Sequence, residues 1–145
     1  MEAQSLPPEP DPGLPAAGAP RPARGRLQVL VVEDDGPTAR VLGRLLEKAG
    51  YAVRVAGSYK DAVRTACEWL PDLVICDIGL PGRDGLDLMK TMRRAYPSLK
   101  GIVVSGHDAP EDVAASLEAG FAEHLAKPVG IEQLHEVIRK VLAEP

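Results

Sequence analysis

The chain has 145 residues, 45% of them hydrophobic, and a formal net charge of −4. That length suits one domain with a tail and a substantial core, and the acidic balance argues against a nucleic-acid partner, which usually meets a basic face. No apolar run approaches the ~18 residues of a membrane span, and aromatic residues at 3% leave little to stack on bases.

Residues 1–25 carry Pro7, Pro8, Pro10, Pro12, Pro15, Pro20 and Pro22 among alanines and glycines. A stretch without apolar periodicity cannot offset its ordering entropy, so a disordered tail or linker is expected there, ahead of a folded domain at 26–145. Arg21, Arg24 and Arg26 read as solvated linker charges. The basic-then-apolar pattern of a signal peptide is missing from this segment.

From residue 27 the pattern changes. LQVLVVE (27–33) reads as a buried strand. The next stretch, 36–50, has an apolar stripe at 41, 42, 45, 46 and 49 that stops at Gly50, which predicts a helix. YAVRVA (51–56) alternates as a strand. Residues 58–70 form a predicted helix opened by Ser58 as N-cap, with Asp61 three positions on. DLVICD (72–77) is a strand and 84–96 a helix; GIVVS (101–105) is a strand and 109–120 a helix closed by Gly120. FAEHLA (121–126) is a short strand. The last helix, 130–144, sets Ile131, Leu134, Ile138 and Val141 on one face. Strict alternation of β and α elements implies a parallel sheet with helices on both faces, and the continuous apolar runs LVIC and IVV fit strands buried on both sides. Cys67 and Cys76 have neither metal-binding nor redox spacing and read as small apolar residues in a reducing cytoplasm.

In such a sheet the carboxyl ends of the strands share one edge, where ligands bind at the reversal of strand order. The first strand ends in Glu33, Asp34 and Asp35, the third in Asp77, the fourth in Ser105, and the fifth runs into Lys127 and Pro128. Clustered carboxylates repel one another unless a cation sits among them, and hard oxygen donors suit Mg²⁺. A lysine is a point charge fit for a phosphate oxygen. Gly79 and Gly82 leave room for close backbone approach. Asp77 is thus a candidate nucleophile forming an acyl phosphate, with lysine, hydroxyl and metal spreading the developing charge.

VVED (31–34), DIGLPGRDG (77–85), VVSG (103–106) and LAKPV (125–129) together resemble the motifs of receiver domains of two-component response regulators, over residues 27–143. The resemblance implies a flavodoxin-like receiver fold, a five-stranded parallel sheet of order 2-1-3-4-5. It implies that Asp77 is the phosphoacceptor, Asp34 a direct Mg²⁺ ligand and Glu33 one acting through water, with the Gly79 main-chain carbonyl also on the metal. It makes Ser105 the switch hydroxyl and Lys127 the phosphate-binding lysine, followed by a cis peptide to Pro128. The implied donor is a histidine kinase or a histidine phosphotransfer domain. The implied output is a downstream protein at the face of the fourth helix, fifth strand and fifth helix, with no contact to nucleic acid or membrane by this segment. Such a domain is cytoplasmic and not a conventional enzyme, catalysing only its own phosphorylation and dephosphorylation.

His124 stands where the family often carries tyrosine or phenylalanine as a rotameric switch. An imidazole can swing similarly but packs less area, and its charged form is expected to prefer the solvated, outward position. The stretch His124–Val129 resembles receivers of hybrid histidine kinases, the favoured context. A stand-alone single-domain regulator is the alternative, since the chain ends soon after the last helix. His107 and His135 read as surface residues, and Asp35 and Asp84 as helix N-terminal groups. Two rivals come from other classes. One is a receiver-like binding module that is never phosphorylated, against which the complete acidic and lysine positions speak. The other is an aspartyl-phosphate hydrolase, which would want a second aspartate where Gly79 stands.

Overall fold

The computed structural model describes residues 26–79 and 84–143. The expected tail at 1–25 and the glycine at position 82 lie outside the described residues. The elements alternate as β1 (Gln28–Val32), α1 (Gly36–Lys48), β2 (Ala52–Ala56), α2 (Tyr59–Trp69), β3 (Leu73–Cys76), α3 (Gly85–Ala95), β4 (Lys100–Ser105), α4 (Pro110–Ala119), β5 (Glu123–Ala126) and α5 (Ile131–Ala143). All pairings are parallel, in the order β2-β1-β3-β4-β5. Fold class, element order and sheet order are those read from the sequence, with element ends differing by one or two residues.

Handedness explains which helix covers which face. Crossovers between parallel strands are right-handed. The connection β1 to β2 runs one way across the sheet, whereas β2 to β3, β3 to β4 and β4 to β5 run the other way. α1 therefore lies on one face and α2, α3 and α4 on the opposite one, while α5 returns beneath α1's side. Side chains alternate accordingly. Val29, Val31, Leu73, Ile75, Ile102 and Val104 pack with Leu46 of α1 and Leu134, Ile138 and Val141 of α5. Leu30, Val32, Val74, Cys76 and Val103 pack with Ala62 and Ala66 of α2, Leu88, Met89 and Met92 of α3, and Ala119 of α4. β1, β3 and the inner part of β4 are buried on both faces, which is why they read as unbroken apolar runs.

Local chemistry sets the helix starts. Asp35, Ser58 and Asp84 are the N-caps of α1, α2 and α3, each accepting from the backbone amide three residues on. The Asp61 carboxylate pairs with Arg64 at 2.9 Å. At the far end of α2, Leu70 takes a left-handed conformation, φ 52°. Gln28 reaches across from β1 to donate to the Trp69 carbonyl at 2.6 Å and the Leu70 carbonyl at 3.3 Å, satisfying carbonyls that a helix end leaves open. Cys76 is buried and Cys67 half-buried, both free thiols. His135 is half-buried, its Nδ1 2.9 Å from the Tyr51 hydroxyl, so it is less of a surface residue than its sequence suggested. No helix among the described residues is long and apolar enough to cross a membrane.

Candidate phosphoryl and metal site

Three strand ends and one loop bring the predicted polar groups together. The ladder runs on past the strands themselves: Glu33 N–H donates to Ala56 O, Asp77 N–H to Val32 O and Lys127 N–H to Ser105 O, at 2.9–3.0 Å. These bonds fix where Glu33, Asp77 and Lys127 leave the sheet. Glu33, Asp34 and Asp77 can each offer a carboxylate oxygen within 4.8 Å of the others. Lys127 Nζ lies 2.7 Å from Glu33 Oε1 and 3.0 Å from Asp77 Oδ2. Glu33 is 6% exposed, and its second oxygen accepts from the Asp35 amide at 3.1 Å. Both Glu33 oxygens are therefore engaged by protein donors. Asp77 Oδ1 accepts from the Gly79 amide at 3.3 Å. The Lys127–Pro128 peptide is cis.

The electrostatics are one-sided, with three carboxylates facing one ammonium. Partial burial works against the Lys127 charge, but hydrogen bonds to Glu33 and Asp77 outweigh it and lift the ammonium above the ordinary lysine range. Lys127 thus stays charged wherever the carboxylates are. Burial, with Asp77 and Glu33 adding to it, pushes the neighbouring Cys76 thiol up, so it is a packing group and not a nucleophile. Asp35 points elsewhere. Its side chain caps α1 through the Thr38 amide at 3.0 Å and the Thr38 hydroxyl, bonds that hold its carboxyl below the usual range.

The donor set fits a hard divalent cation. In octahedral Mg²⁺ coordination, oxygens about 2.1 Å from the ion stand roughly 3–4 Å apart, and three carboxylate oxygens that all lie within 4.8 Å of one another need at most a small contraction. Gly79 is less revealing: among the described residues a Cβ there would meet nothing within 4 Å. Gly85 differs. A Cβ on it would come 2.5 Å from the Asp77 carbonyl oxygen and 2.8 Å from Cys76 Sγ. Its bare backbone lets the start of α3 press against the end of β3, where its amide donates to Ile78 O at 2.7 Å. The sequence shows this glycine but not its crowding.

Ser105 is fully buried at the end of β4, its Oγ accepting from the His107 amide at 3.1 Å. His124 on β5 is half-buried against α4 and bonded at both ring nitrogens, to Ser116 Oγ at 3.0 Å and the His107 carbonyl at 2.9 Å. In this structure the ring is seated inward, with a partner at each nitrogen.

A shallow apolar cavity of about 460 Å³ opens beside the carboxylates, between α1 and the β5–α5 loop, lined by Val41, Leu42, Leu45 and Val129 with Asp77 and Lys127 at its rim. The family model for the response regulator receiver domain matches residues 29–139. The transcriptional regulatory protein ZraR of Salmonella typhimurium strain LT2 is 32% identical over 120 residues, 83% of this chain but 27% of that protein. The probable transcriptional regulatory protein TcrX of Mycobacterium tuberculosis H37Rv is 33% identical over 116 residues, 80% of this chain and half of that protein. The chain thus spans between about a quarter and a half of these relatives' lengths. Among solved structures, a putative response regulator from Chloroflexus aurantiacus J-10-fl is 34% identical with TM-score 0.77, covering 82% of this chain and 99% of that one. A CheY-like response regulator receiver domain protein from Methanospirillum hungatei JF-1 is 28% identical with TM-score 0.78, covering 82% and 95%.

Proposed function

The chain belongs to the response regulator receiver domain family, and from that premise we propose that it accepts a phosphoryl group from a phosphohistidine onto Asp77. A carboxylate oxygen of Asp77 attacks phosphorus; the O–P bond forms as the donor's N–P bond breaks, and the electron pair leaves with the imidazole nitrogen. Lys127 holds one phosphoryl oxygen by charge, and the Ser105 hydroxyl moves to donate to another. A Mg²⁺ ion held by Asp34 and Asp77 and the Gly79 carbonyl would neutralise phosphoryl charge. Glu33 fits a role through water, because both its oxygens already have protein donors. The observation that carries this reading is the Asp77–Lys127 contact, 3.0 Å, inside the carboxylate cluster.

The proposed unit is the domain at 26–145, cytoplasmic, with residues 1–25 as its linker and its output face at α4, β5 and α5. The hybrid-kinase context rests on the His124–Val129 stretch and the proline-rich segment. The relatives are named instead as transcriptional regulators, so an output through transcription by a longer protein is the competing context. The test is treatment with acetyl phosphate, with and without Mg²⁺, read by intact mass. One added phosphoryl group is expected on wild type with Mg²⁺, and none on Asp77→Asn. Equal labelling of that variant would overturn the assignment.

A further inference from the structure

An apolar hollow and a charged cluster meet at one place in this molecule. The cavity of about 460 Å³ lies over Val31, Ile75 and Val104 of the sheet, with α1 as one wall and the β5–α5 loop as the other. Its volume falls within the range of small-molecule pockets, which are mostly apolar with a few polar groups that fix orientation. Two residues of the α1 wall are large, apolar and turned to solvent: Val41 is 59% exposed and Leu45 38%. They stand four apart and so share one stripe of the helix, with Val129 on the other wall. Beyond Val129 the space stays open, since among the described residues a Cβ on Gly130 would meet nothing within 4 Å. At the rim are Asp77, Glu33 and Lys127.

We infer that this hollow binds a small amphiphilic cation, an amine or guanidine on a compact apolar body, with the body against Val41, Leu45 and Val129 and the charged head at Asp77 and Asp34. Charge chooses the head. Three carboxylates, Glu33, Asp34 and Asp77, face the ammonium of Lys127, so the rim attracts a cation and repels an anion. Both Glu33 oxygens are engaged by protein donors. Asp77 Oδ1 accepts from one amide at a long 3.3 Å, and a carboxylate oxygen has a further lone pair for an N–H. The walls choose the body. An apolar group laid against them takes Val41 and Leu45 out of water, a gain proportional to the area covered and closed to a hydrated metal ion. A bound head occupies the place a divalent cation needs, and the ligand keeps Asp77 from a phosphoryl donor. That last consequence rests on the proposed role of Asp77; the binding does not.

The probes are phenethylammonium and its neutral and anionic counterparts, phenethyl alcohol and phenylacetate, titrated into the whole chain without Mg²⁺ and read by methyl ¹H–¹³C NMR. Phenethylammonium should shift the methyls of Val41, Leu45 and Val129 and bind about fivefold more tightly than the alcohol, the size of one exposed ion pair, with phenylacetate weakest. No methyl shift up to the solubility of the probe, or equal binding of all three, overturns the site. Val41→Asn changes an exposed position and should weaken ammonium and alcohol alike, severalfold; Asp34→Ala should bring the ammonium toward the alcohol and leave the alcohol as it is. Unchanged binding in either variant overturns the corresponding half of the assignment. Mg²⁺ should displace the ammonium but not the alcohol, and a failure to compete removes the head from the carboxylates. A dimer, seen by light scattering, that the probe breaks apart would make a second copy the occupant and overturn the inference. With acetyl phosphate, phenethylammonium should slow Asp77 labelling and excess Mg²⁺ should restore it; labelling unslowed at saturating probe overturns the blocking consequence. Should wild type take no label even without probe, the phosphoacceptor reading falls, while the NMR titration still decides whether the site exists.

Discussion

Gly85 is the residue at which the absence of a side chain is most closely determined. Its amide is bonded to Ile78 O, and a Cβ would overlap the Asp77 carbonyl and the Cys76 sulfur. One contact is backbone and the other a fully packed sulfur, so neither can swing aside. Gly85→Ala is expected to cost about 1–3 kcal/mol, the usual range for overpacking a tight contact. It is also expected to slow Asp77 labelling, because the strand end that aims the carboxylate must shift. Urea unfolding and labelling rates check this together; wild-type values in both would show that the α3 start yields freely. The carboxylates, the serine and the lysine were legible in sequence because a parallel sheet sends its strand ends to one edge. Gly85's role was not, since close approach between two backbones leaves no periodic mark. The bonded seat of His124 was hidden for a related reason: its partners, His107 and Ser116, lie 17 and 8 residues away.

At the scale of elements, local and long-range caps separate what a sequence discloses from what it withholds. Ser58 as the N-cap of α2 was readable from its place before an apolar-periodic run. In the structure its Oγ accepts from the Asp61 amide at 3.2 Å. Gln28 caps the other end of the same helix from 41 residues away, in a position that reads only as a polar break in a strand. The two caps differ in consequence. Ser58→Ala should cost about 1 kcal/mol, the usual loss on removing an N-cap side chain. Gln28→Ala should cost more, about 1–3 kcal/mol, because it strips a part-buried carbonyl of its donor. Urea midpoints rank them, and a Ser58→Ala loss equal to or larger than that of Gln28→Ala would reverse this account. Neither change should alter Asp77 labelling once the protein is folded. The inner strands were the easiest elements to read, since burial on both faces makes them uninterrupted apolar runs. Edge strand β2, part exposed, was read from alternation, and β5 begins two residues later than its pattern suggested.

For the molecule as a whole, the site couples charge to stability and then to shape. Three carboxylates against one lysine leave repulsion that a divalent cation relieves, and a ligand bound only by the folded state raises its melting temperature by mass action. Millimolar Mg²⁺ should therefore raise the melting temperature of wild type, and Asp34→Ala should lose most of that rise; an unchanged response would place the cation elsewhere. Phosphorylation replaces the single carboxylate charge of Asp77 with an acyl phosphate that carries roughly −1.5 to −2 and three strong acceptors. The donors proposed to answer are the Lys127 ammonium, already bonded to Glu33 and Asp77, and the Ser105 hydroxyl. If Ser105 leaves the His107 amide, the disturbance passes into the β4–α4 loop, into α4 with its two small buried side chains, and into β5 through His124. Little of it should reach α2. That helix packs beside β2 at the opposite edge of the sheet, is bonded to α3 through Tyr59 and Thr91 at 2.7 Å, and is capped at both ends. Backbone amide signals of residues 105–127 should accordingly move more on binding of a phosphoryl mimic than those of residues 59–69. Shifts restricted to the strand ends around Asp77 would mean that the phosphoryl group is held without a change of face.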